Sequence, residues 1–201
     1  MKYPNNIKKI KNGKKNSIFS FKNKGDTLEY DLNLANHYYN QHAIANIHKK
    51  PTPIKVVEID KNNKIITKAF FQTPSTTDYN GIYKSKYIDF EAKETMSNTS
   101  FALKNIHNHQ IKHLVNIKDH GGIAFLIIQF VNLDKTFLLK IEDFIEFKNN
   151  NKRKSIPLSF FNSNSYIIEY NFHPRIDYLK TVSKVYFEGS KYEKKKGKEE
   201  K

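Results

Sequence analysis

The sequence contains no cysteine, and this absence removes several classes of site at once. Without thiols there are no disulfide frameworks, no cysteine nucleophiles and no cysteine ligands for zinc. A chain of 201 residues is nevertheless long enough to bury a hydrophobic core without cross-links. We therefore expect one folded domain, and the lack of cysteine is compatible with a reducing cytoplasm.

Long hydrophobic runs are also absent. No apolar stretch approaches the roughly 18 residues that indicate a transmembrane helix. The start of the chain, Met1 to Gly13, lacks the hydrophobic region of a signal peptide. These absences favour a soluble cytoplasmic protein with no membrane partner.

Acidic residues are scarce relative to basic ones. The chain has 35 Lys and Arg against 20 Asp and Glu, which gives a formal net charge of +15. A field of this sign concentrates polyanions, so nucleic acid is the leading candidate partner. Only Arg153 and Arg175 are arginines, and a bias towards Lys, Asn and Ile is also typical of a genome rich in A and T. The charge is therefore partly a matter of composition.

Both ends of the chain look unlike the middle. Residues 1–24 carry eight lysines and no acidic residue, with few apolar groups to offset the entropy of ordering. We interpret them as a flexible basic arm that either contacts DNA or only keeps the protein soluble. Residues 191–201 are predicted to be a disordered charged tail, which leaves residues 25–190 as a single domain.

The first half of that domain is predicted to contain a helix followed by a hairpin. Asp26 can cap a helix, with Glu29 completing a capping box. The apolar stripe of this helix comprises Leu28, Leu32, Ala35 and Tyr39. Ile54 to Asp60 and Ile65 to Gln72 are then predicted to be two strands joined by a basic tip.

The second half is predicted to supply the sheet and its covering helices. Two extended segments around Thr76–Tyr79 and Tyr87–Lys93 are separated by turn signals at Asn80-Gly81 and Lys84-Ser85. Further predictions are a helix over Leu103–Lys118, a buried strand over Gly122–Ile128, a strand over Thr136–Ile141, and a last helix presenting Ile176, Leu179, Val182 and Tyr186. The pattern predicts an α/β or α+β fold with helices on both faces of a sheet.

Ionisable residues alternate along the segment Tyr87 to Lys93. Asp89, Glu91 and Lys93 share one face of a strand, and the apolar residues between them share the other. Alone, this pattern also fits a half-exposed strand with a weak surface ion pair. Asp78 favours the functional interpretation, because two carboxylates on adjacent strands can converge. Such an oxygen-rich site suits magnesium, which binds one or two carboxylates together with a substrate phosphate.

At these residues the chain resembles a known family. Asp78 followed by Glu91-Ala92-Lys93 is similar to the signature of the PD-(D/E)xK nuclease superfamily. The surrounding sequence, from about Gly25 to Phe187, resembles the RecU family of Holliday-junction resolvases. This family is also labelled penicillin-binding-protein-related factor A. The stretches that carry this likeness are IHKKPTP at 47–53, STTDYNGIYK at 75–84, YIDFEAKET at 87–95 and PRIDY at 174–178.

The resemblance implies a magnesium-dependent endonuclease that nicks four-way DNA junctions in recombination and repair. It implies a restriction-endonuclease-like mixed β-sheet flanked by helices, and a homodimer, with RecA as a further candidate partner. By the same resemblance Asp78 and Glu91 bind Mg²⁺, with Mn²⁺ as a candidate substitute, and Lys93 is the catalytic lysine. Thr77 and Gln110 are further candidates for the metal site, and Glu29 is an auxiliary candidate.

The family also has a stalk thought to enter the open centre of a junction. The hairpin from Ile54 to Gln72 matches it. The candidate DNA-binding residues of this chain are Lys24, Lys49, Lys50, Lys61, Lys64, Phe70 and Phe71. At least one of the two phenylalanines could instead pack in the core. Lys24 stands where the family carries an arginine, so a role that needs a bidentate fork is not implied.

Three alternatives remain open from the sequence. His107, His109 and His113 could suggest zinc, although His107 and His109 point in different directions on a helix and no third ligand is evident. The catalytic residues do not encode the shape of the substrate, so a related nuclease with another DNA target is a second reading. The third is a basic DNA-binding or recombinase-modulating protein that is not an enzyme.

Overall fold

The computed structural model describes residues 26–72 and 76–188. The predicted basic arm with Lys24, the predicted tail, and both limits of the predicted domain lie outside these residues. No helix in the described part of the chain is long and apolar enough to cross a membrane.

A six-stranded mixed sheet forms the centre of the fold, with the strand order β1-β4-β5-β7-β8-β10. Its strands are β1 (Asn46–Lys49), β4 (Tyr79–Tyr83), β5 (Lys86–Thr95), β7 (Ile123–Phe130), β8 (Lys135–Lys140) and β10 (Tyr166–Ile168). β5 and β7 are parallel, and every other neighbouring pair is antiparallel. Two smaller pairs complete the strands, one of β2 (Ile54–Asp60) with β3 (Ile65–Phe71) and one of β6 (Ser100–Ala102) with β9 (Ser155–Pro157).

Helices cover both faces of the central sheet. They are α1 (Asp26–Gln41), α2 (Asn108–Asp119), α3 (Ile141–Asn150), α4 (Leu158–Asn164) and α5 (Tyr178–Val182). The apolar residues of α1 and α5 pack with one face, and those of α2, α3 and α4 pack with the other. All eight residues of β7 are buried, as a strand covered on both sides requires. The predicted fold class, a mixed sheet flanked by helices, is confirmed.

The predicted helical stripe and the predicted hairpin are confirmed. The four stripe residues of α1 are each at most 2% exposed. Among the described residues, β2 and β3 pair only with each other, and from Ile54 to Gln72 every side chain is exposed except Asp60, which is half-buried. The hairpin therefore stands away from the core, so the alternative that Phe70 or Phe71 packs there is wrong: they are 57% and 82% exposed.

The turn predicted at Asn80-Gly81 is wrong, and so is the strand predicted over Thr76–Tyr79. β4 begins at Tyr79 and runs through both residues. The second predicted turn, at Lys84 and Ser85, is confirmed, and both residues have positive φ. Glycine at position 81 serves a close approach, because a Cβ there would lie 2.1 Å from the carbonyl oxygen of Asn46 on β1. Glycine is common both in turns and where two strands approach closely, so the sequence alone does not distinguish these two roles.

Two predicted helices begin later than expected. The helix predicted from Leu103 is a 3₁₀ turn at Leu103–Asn105 followed by α2, whose N-cap is His107. The helix predicted around Ile176 begins at Tyr178 and continues as a π-helical turn over Ser183–Phe187. In both cases the apolar spacing extends past the helix into the turn that precedes it, so periodicity alone misplaces the start.

Candidate active site

Strand β5 carries two fully buried carboxylates. Asp89 and Glu91 are each 0% exposed on one face of the strand, while Ile88 and Phe90 pack into the core on the other face. The predicted alternation is confirmed. The alternative of a half-exposed strand with a surface ion pair is wrong, because a buried carboxylate must be compensated by hydrogen bonds or positive charge.

Asp78 lies directly before β4, and the antiparallel pairing of β4 with β5 brings it to Glu91. The backbone N–H of Asp78 donates to Glu91 Oε2 at 3.1 Å, and the backbone N–H of Ala92 donates to Asp78 Oδ2 at 3.2 Å. Lys93 Nζ lies 3.6 Å from Asp78 Oδ2 and forms an ion pair with Glu91 Oε1. The two carboxylates and the lysine therefore meet at one point.

The electrostatics of this group are unbalanced. Burial, together with the nearby negative charge of Asp78, raises the pKa of Glu91 to about 7 even though Lys93 opposes the shift. Burial alone would lower the pKa of Lys93, but the two carboxylates outweigh burial and raise it. One ammonium does not fully compensate two carboxylates in a buried site, so the arrangement favours a further cation.

Gln110 and Thr77 lie beside this group and support its carboxylates. Gln110, near the start of α2, donates from Nε2 to Glu91 Oε1 at 2.7 Å, and its Oε1 accepts from the backbone N–H of His107 at 3.0 Å. The hydroxyl of Thr77 donates to Asp89. Gln110 thus contacts the carboxylate of Glu91, whereas Thr77 contacts that of Asp89. A metal-ligating role for Gln110 or Thr77 stays a prediction.

Glu29 reaches the same site from α1. It lines a cavity of about 320 Å³ together with Asp78 and Lys93. Its carboxylate is paired with the ammonium of Lys49, and both side chains are nearly half exposed. From the sequence, Glu29 was predicted to lie at the edge of the apolar stripe of α1. In the structure, this side of α1 faces the cavity that Asp78 also lines.

The three histidines do not form a zinc site. His107 and His109 stack with ring centroids 5.4 Å apart, while His113 Nε2 lies 3.0 Å from Asp89 Oδ2. Within residues 26–72 and 76–188, no group of three or more His, Asp or Glu side chains is placed to hold a metal ion. Two carboxylates are still enough for magnesium, which completes its shell with water and substrate oxygens.

Sequence reasoning missed the polar cluster around Asp89. Four side chains contact this carboxylate, namely those of Lys50, Thr77, Tyr87 and His113. The alternation along β5 placed Asp89 on the same face as Glu91, which was the available signal. Lys50, predicted as a DNA-binding residue, is only 14% exposed in this cluster.

Of the remaining candidates for DNA binding among the described residues, Lys49 ends β1 and is paired with Glu29, and the others lie on the hairpin. Lys61 and Lys64 are exposed at its tip, and Phe70 and Phe71 are exposed on β3. Phe70 and Phe71 lie opposite Lys55 and Ile54, at the base of the hairpin and thus at the other end from the two lysines. DNA binding by any of them stays a prediction.

Comparisons with known proteins agree on one family. A family model described as Recombination protein U matches residues 23–184. A protein of Pediococcus pentosaceus described as Holliday junction resolvase RecU is 51% identical over 168 residues, which cover 81% of this chain and 84% of that protein. One of the same description from Geobacillus kaustophilus is 45% identical over 197 residues, covering 93% and 98%.

The search of solved structures found Hjc, a Holliday junction resolvase from Archaeoglobus fulgidus. It matches with a TM-score of 0.37 and 9% sequence identity, over 65% of this chain and 91% of that chain.

Proposed function

The chain belongs to the RecU family, and we propose on that premise that it is a Holliday junction resolvase, a nuclease that nicks four-way DNA junctions. The observation that carries the proposal is the convergence of Asp78, Glu91 and Lys93 at one point. The exposed basic hairpin supports selectivity for a branched substrate, and the net charge of +15 supports DNA binding in general.

We further propose that the nuclease depends on Mg²⁺, with Mn²⁺ as a candidate substitute. Asp78 and Glu91 would hold the ion, and the raised pKa of Glu91 supports this fit because that carboxylate lacks sufficient positive charge. When bound, magnesium polarises the scissile phosphate and increases the acidity of a water molecule.

The side chains of the protein have separate tasks in this mechanism. Gln110 holds the carboxylate of Glu91 through its amide N–H, and the backbone N–H of Asp78 holds the other oxygen. Lys93 keeps its proton, since its pKa is raised, and its ammonium can offset the charge that develops on the phosphate in the transition state. Such an interaction lowers the barrier to the chemical step more than it strengthens binding.

The partners are proposed on the family relationship. A four-way junction has two-fold symmetry, and a homodimer would place two active sites to nick two strands symmetrically. RecA is a candidate partner, and the cytoplasm is the proposed location.

A cleavage assay with the full chain tests the proposal. A labelled four-way junction and a linear duplex of matched sequence are incubated with Mg²⁺ or with EDTA. We expect nicking of the junction only with Mg²⁺. Asp78→Asn and Glu91→Gln should retain junction binding and lose roughly 10²-fold or more in rate, and Lys93→Met should slow the chemical step.

Three results would contradict the proposal. Equal cleavage of the linear duplex would indicate a nuclease with a different target. Absence of cleavage by the parent would favour a junction-binding protein that is not an enzyme. Nicking at the parent rate by either carboxylate variant would remove that residue from the active site.

A further inference from the structure

Lys50 connects both ends of the hairpin to the catalytic strand. It lies just after β1, four residues before the hairpin begins at Ile54. Its Nζ donates to Thr76 Oγ1 at 3.1 Å and Thr77 Oγ1 at 2.6 Å, both beyond the other end of the hairpin, and to Asp89 Oδ2 at 2.7 Å on β5. One side chain therefore ties together three segments that are distant in sequence.

The three N–H donors of Lys50 are engaged within the protein. An ammonium has three N–H donors, and Nζ lies within hydrogen-bond distance of four groups, namely the two threonine hydroxyls, Asp89 and, at 3.4 Å, His113 Nε2. The side chain is 14% exposed and Asp89 is 0% exposed, so the ion pair is shielded from solvent. A phosphate could bind Lys50 only by displacing one of these contacts.

The contacts of Lys50 also reach the catalytic carboxylates through the backbone. The backbone N–H of Lys50 donates to the carbonyl oxygen of Asp78 at 2.8 Å. Asp89 precedes Glu91 by two residues on the same face of β5, and Thr77 precedes Asp78. The hairpin base is closed independently by a hydrogen bond from the backbone N–H of Gln72 to the carbonyl oxygen of Pro53 at 3.1 Å.

We propose that Lys50 and Asp89 are positioning residues that fix the hairpin relative to Asp78 and Glu91, and so determine which phosphodiester of a bound junction is cut. This inference rests on the proposed function, because it assumes that the hairpin holds the junction. The hairpin and the carboxylates belong to separate sheets. Within the described residues, the partly buried ion pair of Lys50 with Asp89 links the segments that flank the hairpin to β5.

We expect the nick position to become less precise when the contacts of Lys50 with Asp89 and the threonines are removed. A phosphate must lie in a near-attack position for cleavage, and a displacement of about 1 Å can cost roughly 10²-fold in rate. If the hairpin pivots relative to β5, bound junctions present neighbouring phosphates as well as the correct one. The rate at saturating DNA then falls, nicks spread along the strand, and affinity is unchanged because the exposed lysines of the hairpin are intact.

The test compares Lys50→Met with Lys86→Met in the full chain. Methionine keeps the length and apolar stem of lysine but removes its charge. Lys86 is an exposed lysine at the start of β5, so it controls for loss of one charge on the same strand. Nick positions on a labelled junction, the single-turnover rate and the salt dependence of binding are measured for each variant and the parent.

For Lys50→Met we expect a rate at least about tenfold lower, nicks at several adjacent phosphodiesters, and junction affinity within about twofold of the parent. The logarithmic salt slope should be unchanged, whereas loss of a phosphate contact would lower it by about 0.9. Lys86→Met should cut at the parent position. A lowered salt slope and weaker binding with precise nicking would show that Lys50 is a DNA ligand and overturn the proposal.

Lys50→Met could also destabilise the protein, because it leaves the buried charge of Asp89 without this ion-pair partner. The effect on stability must therefore be separated from the effect on the position of the hairpin. The double variant Lys50→Met with Asp89→Asn removes both charges. We expect its urea midpoint to recover towards the parent while its nicks stay dispersed. Recovery of precise nicking together with stability would overturn the proposal. Absence of cleavage by the parent would instead refute the proposed function.

Discussion

Burial and the charge of Asp78 both disfavour the ionised form of Glu91. The residue is 0% exposed, and its pKa is raised to about 7 from an ordinary value of 4.5 by burial and by the charge of Asp78. The folded protein therefore holds a proton that the unfolded chain releases between these two values. Folding stability must fall as the pH rises from about 4.5 to about 7, because the folded state binds more protons there.

We predict a difference between the parent and Glu91→Gln across this pH range. In EDTA, the free energy of unfolding of the parent should decrease by on the order of 3 kcal/mol relative to the variant between pH 4.5 and 8. Urea denaturation at each pH measures it. Magnesium should restore the stability of the parent above pH 7, because it binds the ionised carboxylate. Parallel profiles for the two proteins would show that Glu91 titrates normally.

The candidate catalytic residues could be predicted from the sequence, whereas their supporting contacts could not. Alternation along β5 fixes which face Asp89, Glu91 and Lys93 share, since that depends only on strand geometry. The partners of Asp89 come from other parts of the chain, and no local pattern shows that Lys50 turns inwards. A lysine in a basic sequence is by default interpreted as a surface residue.

The hairpin is the element on which selectivity for four-way junctions should depend. Its tip is shaped by Asp60, which accepts hydrogen bonds from the backbone N–H groups of Asn62 and Asn63 at 2.9 and 3.2 Å. No residue of the hairpin lines the cavity next to Asp78 and Lys93. The hairpin can therefore be altered without removing a residue of the candidate active site.

We predict that replacing Lys61–Lys64 by Asn-Gly reduces preference for the junction. An Asn-Gly turn closes two antiparallel strands, so the shortened hairpin should still form. The ratio of junction to linear-duplex affinity should fall by about tenfold as the tip lysines are lost. Competition binding measures this ratio, and Mg²⁺ titration by calorimetry should be unchanged. A folded variant that selects junctions as well as the parent would contradict the prediction.

A second variant separates charge from length. Lys61→Gln with Lys64→Gln keeps the hairpin at full length and removes only its tip charges. If the double glutamine variant behaves like the deletion, phosphate attraction at the tip determines selectivity. If it behaves like the parent, the length of the hairpin matters instead.

Elements differed in how well their sequence predicted them. β7 was predictable because the residues from Ile123 to Ile128 form a continuous apolar run, which is typical of a strand covered on both faces. β4 was not, because Gly81 and its neighbour Asn80 form the commonest hairpin-turn signal, and only the approach of β1 explains the glycine. The helices α3 and α4 were not predicted at all. They are short, with 10 and 7 residues, and their amphipathic pattern is brief.

At the scale of the whole molecule, a negative site lies within a positive field. The net charge of +15 attracts DNA, while the carboxylates of Asp78 and Glu91 would repel the scissile phosphate unless a cation lies between them. Attraction of DNA therefore requires positive charge on the protein, whereas metal binding at the active site requires negative charge. Position separates them, because the basic residues are spread along the chain whereas Glu91 is buried, so only a phosphate bound in the active site comes close to its carboxylate.

The basic arm of residues 1–24 supplies eight of the positive charges, and we predict that it contacts DNA. Each phosphate neutralised contributes about −0.9 to the slope of log affinity against log salt concentration. Replacing the eight lysines by glutamine in the full chain should therefore make the slope shallower by at least about 2, if several of them engage together. Fluorescence anisotropy with a junction between 50 and 300 mM salt, roughly the range over which such slopes are resolved, measures it.

A matched control removes charge elsewhere on the chain. Lys135 and Lys86 are exposed lysines at the starts of β8 and β5, and their replacement by glutamine should change the slope little unless they lie against the DNA. If the arm only keeps the protein soluble, the eight-glutamine variant should keep the salt slope and the cleavage rate of the parent. It should then lose only solubility at low salt. Equal slopes for the parent and that variant would therefore assign DNA binding to the folded domain alone.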